Sequence, residues 1–179
     1  MKLKTELWYK VLAPRPAVLV STVSKKGISN VAPFSFVMPA SMEPPILAFA
    51  SDPEHDTVRN IKETKDFVVN IPSKKILKNL WICAEEFDYG VSEFEKASLT
   101  EEKSQKVKSP RVKECIAFFE CKLRDLIETG DHVLILGEVL VAEVKDEFYK
   151  KGYDIKKANP LLHIGGVKFT IPGEVLNAE

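Results

Sequence analysis

A chain of 179 residues is most simply one domain, residues 1–179, long enough to bury a substantial core unaided. Its composition, 45% hydrophobic and 29% charged, is that of a soluble globular protein. Lys plus Arg and Asp plus Glu each total 26, and a net charge of zero argues against a nucleic-acid binder with its basic surplus. No apolar run approaches the roughly 20 residues that span a bilayer, and no apolar signal segment follows Met1-Lys-Leu-Lys-Thr-Glu, so a cytoplasmic location is the expectation.

Leu3 to Leu12 reads either as an extended arm or as a short helix, and both readings stay open. Ala17 to Val23 is a strand apolar on both faces, as an interior barrel or sandwich strand would be. Lys25-Lys-Gly turns the chain into Val31 to Met38, a strand of Val and Phe interrupted by Pro33 and Ser35. Proline cannot donate to a ladder, so Pro33 marks an edge or a bulge where main-chain groups are free for other partners. Pro39, Pro44 and Pro45 punctuate a loop before the short apolar strand Ile46 to Ala50, bounded by Ser51 and Pro53. Asp56 or Thr57 then opens a short helix with the small oxygen side chains favoured at helix starts.

Phe67 to Ile71 is a further strand with Asn70 as its odd polar member, stopped by Pro72. Ser73 caps a helix whose apolar positions Ile76, Leu77, Leu80, Trp81, Ala84 and Phe87 keep helical spacing, a face for core or for a subunit contact. Glu85 to Pro110 is polar, mixing helix and loop. Cys115 to Ile127 alternates: Ala117, Phe119, Cys121 and Leu123 face one way, Glu120, Lys122 and Arg124 the other. Glu128-Thr-Gly-Asp turns the chain into Val133 to Val144, a long strand apolar on both faces with Gly137 at the place of a bulge or barrel bend. A strand of that length predicts contact beyond its own barrel, hence a homodimer. Gly152 to Pro160 is loop or short helix, Leu161-Leu-His-Ile-Gly-Gly-Val-Lys-Phe ends the domain, and Ile171 to Glu179 is a tail.

Cys83, Cys115 and Cys121 are an odd count. Cys115 and Cys121 read as residues on the same face of one strand, about 20 Å apart and beyond disulfide reach, so they act as small buried hydrophobes rather than a redox dithiol.

The polar loop leaving the Ile46 strand and entering the Asp56 helix is where an anion can sit, because free amides and the helix dipole both favour negative charge. The alternative is a capped helix with no ligand. For the first reading, a basic side chain from elsewhere must balance Asp56.

Pro14-Arg-Pro-Ala-Val-Leu-Val-Ser-Thr, Gly27-Ile-Ser-Asn-Val-Ala-Pro-Phe-Ser-Phe, Pro44-Pro, Asp56-Thr-Val-Arg-Asn-Ile and Phe67-Val-Val-Asn together resemble the flavin reductase-like family of FMN-binding split β-barrels. Phe94-Glu-Lys-Ala-Ser-Leu-Thr, Gly130-Asp-His and Leu162-His-Ile-Gly-Gly continue the likeness, which runs in order from about Val11 to about Phe169. The resemblance implies an antiparallel Greek-key split β-barrel with inserted short helices, between all-β and α+β. It implies an FMN oxidoreductase fed by NAD(P)H or a protein donor, homodimeric with the flavin near the subunit interface.

By the same resemblance, Asn30, Ser35 and Phe36 lie at the ring system, Ser51 and Thr57 supply hydroxyl contacts to the ribityl phosphate, and Phe34 and Asn60 are further cofactor-binding candidates. Lys96 supplies the missing positive charge, although this chain reads Ala97-Ser-Leu-Thr where the family commonly has Ala-Gly-Leu-Thr. His132 stands close to the cofactor, where it can bond or stabilise negative charge on reduced flavin; a strand-end histidine meeting solvent is the other reading. His163 is a weaker candidate and His55 reads as surface loop.

No Cys or His pair has zinc-site spacing, so no structural metal is expected. With no Gly-x-Ser-x-Gly and no Gly-x-Gly-x-x-Gly, neither a nucleophile elbow nor a Rossmann site is encoded, and a nicotinamide partner must dock transiently over the flavin. Two rivals stand beside the reductase: a non-enzymatic flavoredoxin-type electron carrier, and a barrel that binds another ligand or a partner protein.

Overall fold

In the computed structural model, which describes residues 1–179, the opening segment is a 3₁₀ helix over Thr5–Lys10 that buries none of its residues. After β1 (Arg15–Pro16), the hairpin of β2 (Val18–Val23) and β3 (Ser29–Phe34) turns at Gly27, whose φ of +79° suits glycine. Then come β4 (Val37–Ser41), β5 (Ile46–Ser51), α1 (Asp56–Thr64) and β6 (Asp66–Ile71). The short helices α2 (Leu77–Ile82) and α3 (Glu93–Lys96) and the ribbon of β7 (Glu101–Glu102) with β8 (Arg111–Val112) lead into the long hairpin β9 (Ala117–Glu128) and β10 (Val133–Val144). The chain closes with α4 (Ile155–Ala158), β11 (Leu162–Gly165) and β12 (Lys168–Thr170).

Seven strands form one antiparallel sheet in the order β3-β2-β6-β9-β10-β5-β4. β3 and β4 are consecutive in the chain yet stand at opposite edges, so the barrel stays split along a seam that the chain crosses at Ser35 and Phe36. Pro33 lies on the edge strand, where its missing N–H leaves no ladder bond unmade. β1 joins β11 and β12 in a separate small sheet.

Both faces of β2 are buried, so its apolar residues Val18, Leu19 and Val20 serve two cores and its polar Ser21 and Thr22 are buried too. Val18, Val20, Phe49, Phe67, Val69, Cys121 and Ile135 form the barrel interior, closed at one end by Val58 and Ile61 of α1. Leu19, Val31, Val68 and Phe118 point the other way, under Leu80, Cys83, Phe94, Leu99 and Leu161. The register of β9 and β10 shifts between Leu136 and Gly137. A Cβ on Gly137 would lie against the Phe67 ring, 2.9 Å from Cε1, so glycine here makes room for an aromatic ring in the barrel.

The structure corrects several readings. Val31 to Met38 is two strands, because the chain leaves one sheet edge for the other. The Ser73 helix is a 3₁₀ turn over Lys74–Ile76 followed by α2, which stops at Ile82; its cap is as expected, Ser73 Oγ accepting from Lys75 N at 3.3 Å. Cys115 precedes β9 and packs with Cys83 in the outer core, whereas Cys121 faces the barrel interior, so the two do not share a face. All three thiols are free and buried, and burial pushes those of Cys83 and Cys121 up to about 12. Glu120 does not join Lys122 and Arg124 at the surface. It is fully buried, held by Arg111, whose Nε donates to Oε1 at 2.8 Å.

Candidate functional site

Ser35 and Phe36 sit in the seam between β3 and β4, and neither donates its backbone N–H to a protein atom. Phe36 O accepts from Ala50 N at 2.9 Å, which ties the seam to the end of β5. The Phe36 ring is 40% exposed, unusual for a core aromatic. It is surrounded by the Arg15 guanidinium at 5.3 Å, the His132 ring at 5.7 Å and the Tyr9 ring at 6.2 Å. His132 Nδ1 lies 2.8 Å from the Asp131 carboxylate, which only accepts, so neutral His132 carries its proton on Nδ1 and presents Nε2 as an acceptor.

Next to the seam stands the start of α1. The flanking residue is His55, not Asp56 or Thr57, and no side chain caps the helix. Asp56 and Thr57 donate their amides to nothing in the protein, so the positive end of the helix is open. Phe34 bridges the two segments, its ring 6.4 Å from that of His55, and Ser51 Oγ lies 3.2 Å from His55 Nδ1. Burial raises the Asp56 carboxyl above its ordinary value, opposed by the charges of Arg59 and then His55. Arg59 also lies over the Tyr89 ring at 3.8 Å. The cation that balances Asp56 is therefore on the same helix.

Behind these amides is a buried polar network. Thr22 and Thr57 both donate to Asn30 Oδ1 at 3.3 Å, and Asn60 Nδ2 donates to Thr22 Oγ1 at 3.0 Å. Asn30 Nδ2 and Val31 N donate to the two oxygens of Glu93, at 2.8 and 3.1 Å, while burial raises the Glu93 carboxyl. Asn60 Oδ1 is buried with no partner. The two bonds to Asn30 Oδ1 are long, so Thr57 can turn its hydroxyl toward a ligand while Thr22 still serves that oxygen.

The family model of the flavin reductase like domain matches residues 11–172. This chain belongs to the flavin reductase-like family. An uncharacterized protein of Aquifex aeolicus is 41% identical over 163 residues, covering 87% of this chain and 83% of its own. The structure of nitrilotriacetate monooxygenase component B from Bacillus cereus is similar at 28% identity and a TM-score of 0.90, over 98% of this chain and 95% of that one. A flavoredoxin from Methanosarcina acetivorans is similar at 25% identity and a TM-score of 0.87, over 99% and 94%. The split barrel implied by the sequence is thus the fold of this flavin reductase-like protein.

Of the residues singled out in the sequence, Asn30, Thr57 and Asn60 share one network, and Phe34, Ser35, Phe36, Ser51 and His132 stand around the seam. Lys96 is different: it is exposed at the end of α3, and its side chain makes no hydrogen bond or ion pair. The backbone beside it keeps a glycine-like path even without glycine, since Ser98 has φ +52°. Sequence reasoning passed over Arg59, whose i, i+3 spacing from Asp56 was a usable signal. Glu93 carried none, and Arg15 and Thr22 stood only as members of a motif with no role attached, because only the tertiary fold brings them here. His55, read as surface loop, is exposed but touches both Ser51 and Phe34.

These groups suit a flat phosphorylated ring: amide donors at the seam for its carbonyl edge, open helix amides and Arg59 for its phosphate, and the unpartnered Asn60 Oδ1 for a donor. A second cavity, of about 380 Å³, opens where Met38, Leu47, Val69, Phe119 and Val139 meet. No charged side chain lines it, so it offers nothing to a phosphate.

Proposed function

We propose that this protein binds FMN across the seam and moves electrons from NAD(P)H or a redox-protein donor through it to an acceptor. The observation that carries this reading is the set of unpaired amides at Ser35, Phe36, Asp56 and Thr57 on one rim of the barrel, in a chain of the flavin reductase-like family. The flavin supplies the redox chemistry, accepting a hydride or single electrons. The chain's own residues bind and orient. The α1 amides with Thr57 and Ser51 hold the phosphate, Arg59 and Lys96 offset its charge, and Asn30, Phe34, Ser35 and Phe36 position the ring. His132 bonds the cofactor or its partner from the far side of Phe36. A nicotinamide donor docks transiently beside that ring, since the chain has no Rossmann fold to hold it.

The apolar cavity, lined in part by exposed Met38 and with exposed Leu140 on the same sheet, supports a homodimer contact in this reading. Light scattering over a concentration series tests it, and a monomer throughout rejects it. No helix is long and apolar enough to cross a membrane, and the reading places the protein in the cytoplasm, where NAD(P)H is supplied.

An absorption spectrum of the freshly purified protein with flavin bands, and quenching of added FMN fluorescence, are the expected outcomes. A colourless protein that leaves FMN fluorescence unchanged rejects the reading. Similarity to a flavoredoxin favours one second reading, an electron carrier without NAD(P)H turnover. Stopped-flow bleaching by NADH or NADPH marks a reductase; slow or absent bleaching with both marks a carrier.

A further inference from the structure

We propose that His163 forces the Ser35 hydroxyl to act only as an acceptor toward the bound ring, so that Ser35 favours the reduced flavin over the oxidised one. The inference rests on the FMN reading above and deepens it. His163, in β11, has Nε2 3.0 Å from Gly166 O and Nδ1 2.8 Å from Ser35 Oγ. A carbonyl oxygen only accepts, so Nε2 must carry the hydrogen. A neutral imidazole has one N–H, which leaves Nδ1 a bare lone pair, and Ser35 must donate to it.

The local sequence builds this arrangement. Gly165 and Gly166, at φ +155° and +53°, make the turn that carries the Gly166 carbonyl back to the histidine ring. Phe169 packs on that ring at 4.9 Å, and the β11–β12 ladder pairs the two residues directly. The Leu-His-Ile-Gly-Gly run, unexplained by the flavin contacts, is thereby accounted for.

The consequence at the seam is a fixed polarity. Ser35 has one hydroxyl hydrogen, and His163 takes it. Its remaining lone pairs can only accept, while the free amides of Ser35 and Phe36 can only donate. An oxidised isoalloxazine presents N5 as a lone pair. With FMN bound, reduction by a nicotinamide hydride would break the donor's C–H bond, form N5–H and carry both electrons to the ring, so that N5 would become a donor. With the ring docked so that N5 faces Ser35 Oγ, an acceptor-only hydroxyl would meet bare N5 with lone-pair repulsion and N5–H with a hydrogen bond, so its interaction would differ between the two redox states. Only such a difference shifts a potential. In this proposal Ser35 would contact the flavin, and His163 is a positioning residue that acts through it.

The test combines the flavin-free protein with the FMN-loaded one. Ring 15N shifts of His163 in the flavin-free protein are expected to show hydrogen on Nε2. Spectroelectrochemistry of the FMN-loaded protein is expected to give Ser35→Ala a lower midpoint potential than wild type. Losing one hydrogen bond weakens reduced relative to oxidised FMN about tenfold. For this two-electron couple that is a fall of about 30 mV. His163→Phe frees the hydroxyl to donate to bare N5 and lowers the potential at least as far. His163→Asn, whose Oδ1 replaces Nδ1 as the acceptor, keeps the wild-type value. Normal FMN quenching with equal potentials in wild type, Ser35→Ala and His163→Phe overturns the inference and leaves the flavin reading intact, as does hydrogen on Nδ1. Absence of FMN binding by the wild type overturns both.

Discussion

Two stretches of this chain run beside the same sheet and treat their amides in opposite ways. Along the strap before β8, Gln105 and Lys106 donate to the two oxygens of Glu120 at 2.8 and 2.7 Å, and Lys108 and Ser109 donate to Asp66 at 3.1 Å. Both carboxylates are buried side chains of the sheet, so the protein satisfies that loop itself. At the seam and the start of α1, four amides have no protein partner, and the carboxyls of Asp56 and Glu93 are both raised by burial. Filling amides with one's own carboxylates makes a structural brace. Leaving them open beside a buried polar network makes a place for something else.

The contrast is sharpest in Glu120→Ala, which takes the buried carboxylate from Arg111, leaving its guanidinium only Glu143 at 2.9 Å and Glu102 at 3.7 Å, and leaves two strap amides unpaired. Loss of one partner of a buried pair costs about 3–5 kcal/mol. Urea unfolding is expected to show that loss while the folded fraction quenches FMN as before. Reduced affinity at the seam in the same variant would break the separation of the two regions. At the seam the signature is the reverse. Thr57→Val is expected to weaken FMN binding by about 1–2 kcal/mol and leave the urea midpoint nearly unchanged, because Asn30 Oδ1 keeps Thr22. Unchanged FMN affinity removes Thr57 from the site.

Ser98→Gly tests the backbone beside Lys96. Relieving a left-handed serine is expected to stabilise the fold by about 0.5–1 kcal/mol, read from the urea midpoint, since the strain exceeds what glycine adds to unfolded-chain entropy. The smallest effect is Asp56→Asn. The Asp56 carboxyl is raised in the folded chain, so the folded state holds that proton more firmly than the unfolded one. Its stabilising contribution is present below the ordinary carboxylate range and lost as pH rises through the raised value. The asparagine variant is expected to have a flatter stability profile across that window in urea titrations at stepped pH. It is also expected to bind FMN about two- to fivefold more tightly at neutral pH, because a negative group has left the open helix end.

Most strands and the long β9–β10 hairpin were legible because alternation, turn glycines and prolines act over a few residues. Asn30, Thr57 and Asn60 were legible as an ordered motif, yet their joint network was not, since Thr22 and Glu93 join it from distant parts of the chain. Glu120 was misread because alternation reports which side a residue faces, and here the opposite side is also covered. His163 was ranked low for the same kind of reason: its partner Ser35 lies 128 positions away.

By itself, then, the amino-acid order determined the strand-rich split barrel, the family, and which short segments carry polar residues among apolar ones. Tertiary structure alone decided which amides go unpaired, which carboxylates are buried as braces, and which nitrogen of His163 holds the hydrogen. Periodicity and turn chemistry are local and survive in the sequence. Hydrogen-bond satisfaction is a sum over neighbours that only folding brings into reach.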